Sequence, residues 1–257
     1  MLSLNEIEKF YPDNQKVFKR NILREYLQYK ILQIVFNQSI AKKLSFMGGT
    51  CLRIVYGTSR FSEDLDFDNF GLTADEFKQL ADTVKKELEL EGYVVETKNV
   101  FKGAYRFYIR FPKLLFDNKL SGFEEEKVLI QLDTEAQHFN YQSKKFLINK
   151  FDIFTQIFIT PKDILLSQKI WAILNRKVLK GRDFYDTSFL FGITQPNYDY
   201  LKSKADIDNL DNLKKRILQR LENENLDKVS KNVEPFLMNK NDTLRITKFP
   251  DFVRSLE

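Results

Sequence analysis

The sequence predicts a mixed α/β domain over residues 1–155 followed by a helical domain over residues 156–257. Three observations predict it. Residues 44–67 pass from a short apolar run through Gly48-Gly49 and a helical stretch into the alternating Asp64-Leu65-Asp66-Phe67. Further short runs rich in Val, Ile, Phe and Tyr follow up to residue 134, as strands require. From Thr160-Pro161 onward, apolar residues recur at helical spacing between Gly and Pro stops.

The elements follow in chain order. Residues 16–38 place Val17, Leu23, Leu27, Ile31, Ile34 and Val35 along one stripe, so they read as a helix packed on the core. Residues 44–47 read as a buried strand that ends at the two glycines. Thr50 suits a helix start, its hydroxyl satisfying free backbone N–H groups. That helix, residues 51–56, is expected to bury Leu52, Val55 and Tyr56 and to stop at Gly57. In the next strand Asp64 and Asp66 point to one face and Leu65 and Phe67 to the core. Thr73-Ala74-Asp75-Glu76 is a capping box opening a helix that runs to residue 91 and ends at Gly92. Residues 93–98, 104–111 and 127–134 read as strands, with Lys102-Gly103 as a turn. A strand–helix–strand start followed by more strands implies a mixed sheet carrying helices.

In the second domain Thr160 is expected to cap a helix with Pro161 at its first position. This helix holds Leu165, Lys169, Trp171, Ala172 and Ile173 and ends near residue 177. A second helix spans residues 182–191 and stops at Gly192. Residues 198–225 carry Leu201, Leu210, Leu213, Ile217 and Leu221 at helical spacing.

Composition excludes several classes. With 257 residues the chain can bury a sizeable core. No apolar run nears the ~18 residues of a membrane span, and residues 1–16 show acidic groups rather than a signal-peptide core. A cytoplasmic protein without membrane contact is expected. The single cysteine, Cys51, excludes an intrachain disulfide, and a single histidine, His138, leaves too few soft ligands for zinc. Net charge is +5, and residues 141–182 hold nine Lys/Arg against two Asp, a basic stretch suited to a nucleotide or RNA.

The chemistry lies in residues 46–67. A Gly-Gly pair at a helix N-terminus suits phosphate, because the helix end is positive and no Cβ stands in the way. Asp64 and Asp66, with Cα atoms ~6.6 Å apart on a strand, suit Mg²⁺, which takes one or two carboxylates plus substrate phosphates. Taken alone, a D-x-D is a solvated strand edge and Gly-Gly a turn. Their joint order points to phosphoryl transfer.

Gly48-Gly49-Thr50-x-Leu52 followed by Ser59-Arg60-x-Ser62-x-Asp64-x-Asp66-Phe67 resembles the first motif of the AbiEii-type nucleotidyltransferases. These are the toxin half of type IV toxin–antitoxin systems, within the DNA polymerase β-like superfamily. Downstream, Lys169 followed by Gly181-Arg182-Asp183-Phe184-Tyr185-Asp186 resembles the family's lysine helix and its (R/K)-D-x-x-D element, so the likeness spans residues 46–190. The resemblance implies a polymerase β-like nucleotidyltransferase domain with a mixed sheet plus a helical C-terminal domain. It implies Mg²⁺-dependent transfer of NMP from an NTP to an acceptor hydroxyl on RNA such as tRNA, and a cognate antitoxin as partner.

By the same resemblance Asp64 and Asp66 hold the metal. Asp133, at the end of Leu129-x-Gln131-x-Asp133, is the third carboxylate, with Glu135 as its rival. Lys169, which residues alone would let snorkel to solvent, grips the triphosphate, and Asp183 orients it or a basic neighbour. Arg182 makes a phosphate contact with Asp186 holding it. Gly48, Gly49, Thr50, Arg60 and Ser62 complete the nucleotide cradle. The loop at residues 56–60 is less basic than in relatives, which leaves this pocket less charged. The rival readings are a small-molecule transferase of the aminoglycoside type and a non-catalytic nucleotide- or RNA-binding protein of the same fold. The basic stretch favours RNA, and the intact Asp64, Asp66, Lys169 and Asp183 favour an enzyme.

Overall fold

A single mixed sheet organises the first of two units into which the chain divides. The computed structural model describes residues 1–257; the first unit is residues 1–56 and 61–159, the second residues 57–60 and 160–257. In chain order the first unit contains α1 (Leu4–Glu8), α2 (Lys19–Phe36), β1 (Leu44–Met47), α3 (Gly48–Tyr56), β2 (Leu65–Asn69) and α4 (Ala74–Leu90). It continues with β3 (Glu96–Lys102), β4 (Ala104–Phe111), α5 (Leu114–Asp117), β5 (Val128–Ala136), β6 (Lys144–Lys150) and β7 (Ile153–Ile159). The seven strands lie in the order β3-β4-β5-β2-β1-β7-β6. The β2–β5 and β1–β7 pairs are parallel and the others antiparallel.

The period-two pattern of the strands sends one set of side chains under helices. On β4, Phe107, Ile109 and Phe111 are buried, as are Ile130 and Leu132 of β5. Phe77 of α4 stacks against Tyr105 at 5.6 Å, and Phe36 of α2 lies 6.1 Å from Phe67 of β2. Burying such apolar area, at ~25 cal/mol per Å², holds α2 and α4 to this face. By alternation, Asp66, Arg106, Tyr108 and Asp133 belong to the other face. The capping box opens α4 at Thr73 as its residues dictate.

Some expectations need correction. Val17 precedes α2 and is 75% exposed. Strands β6 and β7 were not among those expected. The α/β unit therefore extends past residue 155 to Ile159, since β7 alternates Ile153, Thr155, Ile157 and Ile159 inward. Phe151, in the tight β6–β7 turn, adopts φ +61° and packs its ring on Phe10, Tyr26 and Tyr29. Beside it Glu25, almost fully buried, accepts from Tyr11 at 2.8 Å, Arg53 at 2.8 Å and Lys150 at 2.9 Å. Burial opposes its ionisation, but Lys150 and Arg53 outweigh that and hold its carboxyl below the ordinary range.

The second unit is helical: α6 (Lys162–Asn175), α7 (Gly181–Phe191), α8 (Tyr198–Ala205), α9 (Leu210–Leu221), α10 (Leu226–Ser230), α11 (Leu244–Thr247) and α12 (Phe249–Ser255). Pro161, without a side-chain cap, occupies the N-cap of α6 in place of Thr160. The helical run expected over residues 198–225 breaks at Asp206, which adopts φ +54°, and Asn209 caps the restart. A Cβ on Gly181 would stand 2.8 Å from the Val229 carbonyl oxygen, so α7 begins where only glycine lets it meet α10. Residues 57–60 join this unit through an antiparallel bridge between Arg60 and Leu237. No helix is long and apolar enough to cross a membrane.

Candidate active site

The two glycines open α3 directly, so the helix starts at Gly48 rather than at residue 51. Gly48 holds φ +76°, and a Cβ there would lie 2.2 Å from Asp66 Oδ2. The glycine thus admits the protein's own carboxylate to the helix start. Thr50 is buried, and its hydroxyl donates to the Asp64 carbonyl instead of capping the helix. That bond pins the entry of β2, where both aspartates reside, to the first turn of α3. Burial and the Asp66 charge push the Cys51 thiol well above its ordinary range, which leaves it protonated and no nucleophile.

Sheet register then assembles a row. Asp66 pairs with Asp133 across the parallel β2–β5 ladder, and Asp133 pairs with Arg106 across the antiparallel β4–β5 ladder. Side chains in register share a face, so the two carboxylates are neighbours. Asp133 receives Gln131 Nε2 at 2.5 Å, and Arg106 Nε stands 3.5 Å from Asp133 Oδ1, which is buried without a hydrogen-bond partner. Burial raises the Asp133 carboxyl above its ordinary value, against the lowering effects of Gln131 and Arg106. Asp64 immediately precedes β2, and Glu135 is exposed further along β5.

No group of three or more His, Cys, Asp or Glu side chains is placed to hold a metal by itself. The donor set still fits Mg²⁺. It offers hard carboxylate oxygens, one with a buried lone pair that accepts no hydrogen bond, and a glycine that makes room for the Asp66 carboxylate. Mg²⁺ characteristically fills its remaining positions with waters and substrate phosphates. The loop before β2 is fastened by Gln28, whose Nε2 donates to the carbonyls of Ser62 at 3.0 Å and Glu63 at 2.9 Å.

The second unit gathers its own cluster. Lys169 on α6 turns inward, its ammonium 2.9 Å from Asp186 and 3.5 Å from Asp183. Arg176 Nε lies 2.8 Å from Asp183, and Arg60 grips Asp186 with two bonds of 2.7 and 2.6 Å. Both aspartates are buried, and Arg60 is only 2% exposed. Burial opposes ionisation of Asp186, yet Arg60 and Lys169 together hold its carboxyl below the usual range. Three cations facing two carboxylates leave one positive charge, a local attraction for an anion.

Two placements differ from expectation. Arg60 is not a loop side chain reaching for phosphate; its fork is spent on Asp186, inside the second unit. Asp186 therefore holds Arg60 and Lys169, and half-buried Arg182 is not its partner. Lys169 and Asp183 are brought together, as are Asp66, Asp133 and Gly48. The roles of Arg106, Gln131 and Arg176 were not foreseen. A sequence alone shows basic and polar residues there without the register that pairs them.

A model of the family described as nucleotidyl transferase AbiEii toxin, type IV TA system, matches residues 30–254. The chain belongs to the AbiEii family. It is thus a nucleotidyltransferase of the toxin type. Among solved structures, JHP933 from Helicobacter pylori is similar to this AbiEii chain, with a TM-score of 0.54 and 17% identity, covering 91% of each. A candidate nucleotidyltransferase from H. pylori gives a TM-score of 0.54 and 18% identity, covering 88% of this chain and 93% of that one. At such identities the likeness concerns the fold, and the mixed sheet with its helices is the polymerase β-like one. No curated protein matches the chain in sequence.

Proposed function

We propose that this AbiEii enzyme moves NMP from an NTP to an acceptor hydroxyl on RNA, with tRNA as the leading substrate, Mg²⁺ as cofactor and pyrophosphate as product. The observation that carries this reading is the in-register pairing of Asp66 with Asp133, beside a glycine whose missing Cβ makes room for the Asp66 carboxylate. Asp64 and Asp66 would hold Mg²⁺, which supplies charge neutralisation for the triphosphate as pyrophosphate leaves. The acceptor oxygen attacks the α-phosphorus, and the bond from that phosphorus to the pyrophosphate oxygen breaks. Asp133, in register with Asp66, would complete the metal's oxygen ligands or take the proton released by the acceptor hydroxyl. Gly48, Gly49 and the N-terminus of α3 receive phosphate oxygens, with Ser62 on the adjoining loop. Lys169, held by Asp183 and Asp186, is assigned the cationic contact to the triphosphate, with Arg182 as a second. The net charge of +5 and the basic stretch at residues 141–182 favour a polyanionic acceptor. Growth arrest in the cytoplasm, relieved by a cognate antitoxin, is the role that fits the family.

The test is incubation of the purified protein with total tRNA, Mg²⁺ and each α-phosphate-labelled NTP in turn, beside Asp64→Ala. Label entering RNA with one NTP, and lost in a normally folded Asp64→Ala, is the expected outcome. Transfer at the wild-type rate by folded Asp64→Ala would overturn the metal assignment. Failure of every NTP to label RNA would overturn the acceptor.

A further inference from the structure

The sheet face that carries the carboxylate row continues toward the β3 edge. Next to the row of Asp133 and Arg106, the registers set Gln131, Tyr108 and Lys98 side by side. One row further on, Arg110 follows on β4. Rows are ~6.8 Å apart along the strands, and neighbours within a row ~4.8 Å apart across them. The Arg110 guanidinium lies 5.8 Å from the centre of the Tyr108 ring. Lys98 and Lys102 are exposed on β3, which is an edge strand. The acidic groups on either side of Tyr108 are matched, Glu96 by Lys127 at 2.7 Å and Asp133 by Arg106 at 3.5 Å. Toward Tyr108, Lys98 and Arg110 are therefore surplus positive charge, interleaved with an aromatic ring and continuous with the carboxylate row, whereas Lys102 lies beyond that row, on the side of exposed Glu135.

We propose that this face seats the single-stranded 3′ segment of the RNA acceptor, with phosphates on Lys98 and Arg110 and a base stacked on Tyr108. The placement rests on the RNA-acceptor reading above and adds where, and in what form, the RNA is held. Charge complementarity selects a polyanion. The ring selects an unpaired strand, because bases within a duplex stack on each other and do not offer a face to Tyr108. Gln131, opposite Tyr108 in register and 2.5 Å from Asp133, then links the bound strand to the row where chemistry is assigned, with Arg106 beside it.

The experiment is fluorescence anisotropy of a 5′-labelled single-stranded RNA of about 12 nucleotides with the full chain across a salt series. Tyr108→Ala should weaken binding about tenfold or more, while Tyr108→Phe stays near wild type. The double change Lys98→Ala/Arg110→Ala should flatten the log–log salt slope by about 0.7 for each phosphate left unneutralised. Circular dichroism and binding of labelled NTP should match wild type in all three. Unchanged RNA binding in these variants, equal competition by a blunt RNA duplex, or no binding by wild type would each overturn the seat. If wild type labels RNA while the variants bind and react unchanged, the seat fails and the acceptor reading stands. If RNA binds through this face but receives no nucleotide from any NTP, the seat stands and the acceptor reading fails.

Discussion

At position 48 a methyl group in place of a hydrogen would lie 2.2 Å from Asp66 Oδ2, on a backbone held at φ +76°. An L side chain in the left-handed region costs about 1–2 kcal/mol, which a domain of this size can absorb. Displacement of the carboxylate is the larger functional loss. Gly48→Ala is expected to fold with a modestly lower Tm and to lose about 100-fold in kcat, since a misplacement of ~1 Å costs that much. Thermal melts and single-turnover label transfer separate the two effects. Residues 46–67 were informative in the sequence because strand, Gly-Gly, helix and D-x-D are local patterns. What the glycine accommodates was not legible, because Asp66 approaches it from another strand. The same reason hid Arg60: its partner is 126 positions away, and no local rule distinguishes a buried arginine from a phosphate contact.

Within the second unit, α6, α7 and the segment at residues 57–60 are bound by charge rather than by apolar packing alone. Breaking a buried pair by removing one partner costs about 3–5 kcal/mol, so Arg60→Met should lower the melting temperature sharply. The Asp186 carboxyl is held below the ~3.9 of an unfolded chain. Its ionised form therefore stabilises the fold at every pH above that value, and the contribution is lost as pH falls through the lower folded pKa. Tm followed from pH 6 to below pH 4 should drop more steeply in wild type than in Asp186→Asn, which should start lower. A parallel fall in both would remove Asp186 from this account. Helices with strong punctuation, such as α4 behind Thr73 and α7 before Gly192, were legible to within a residue or two. The β6–β7 hairpin was not, because β6 reads as a lysine-rich polar stretch whose strand state comes from pairing with β7.

For the whole molecule, net charge of +5 sets the long-range field. Binding of a nucleic acid by counterion release falls steeply with salt, whereas a metal-bridged nucleotide contact depends on it less. The KM for an RNA acceptor should rise as a power of the KCl concentration, while the KM for NTP changes far less. An RNA KM that stays flat across the KCl series would place the RNA on uncharged contacts. The mixed architecture was legible in outline from the alternation of strand and helix signals. The junction was displaced by four residues because β7 continues the sheet to Ile159. The second unit also takes in residues 57–60, encoded a hundred residues before the rest of it. A gene fragment for residues 160–257 would deliver the helices without Arg60, leaving Asp186 with Lys169 as its one remaining cation. Recombination at the junction could not pass this unit on as a self-contained cassette. On this ground the two units are expected to be inherited together.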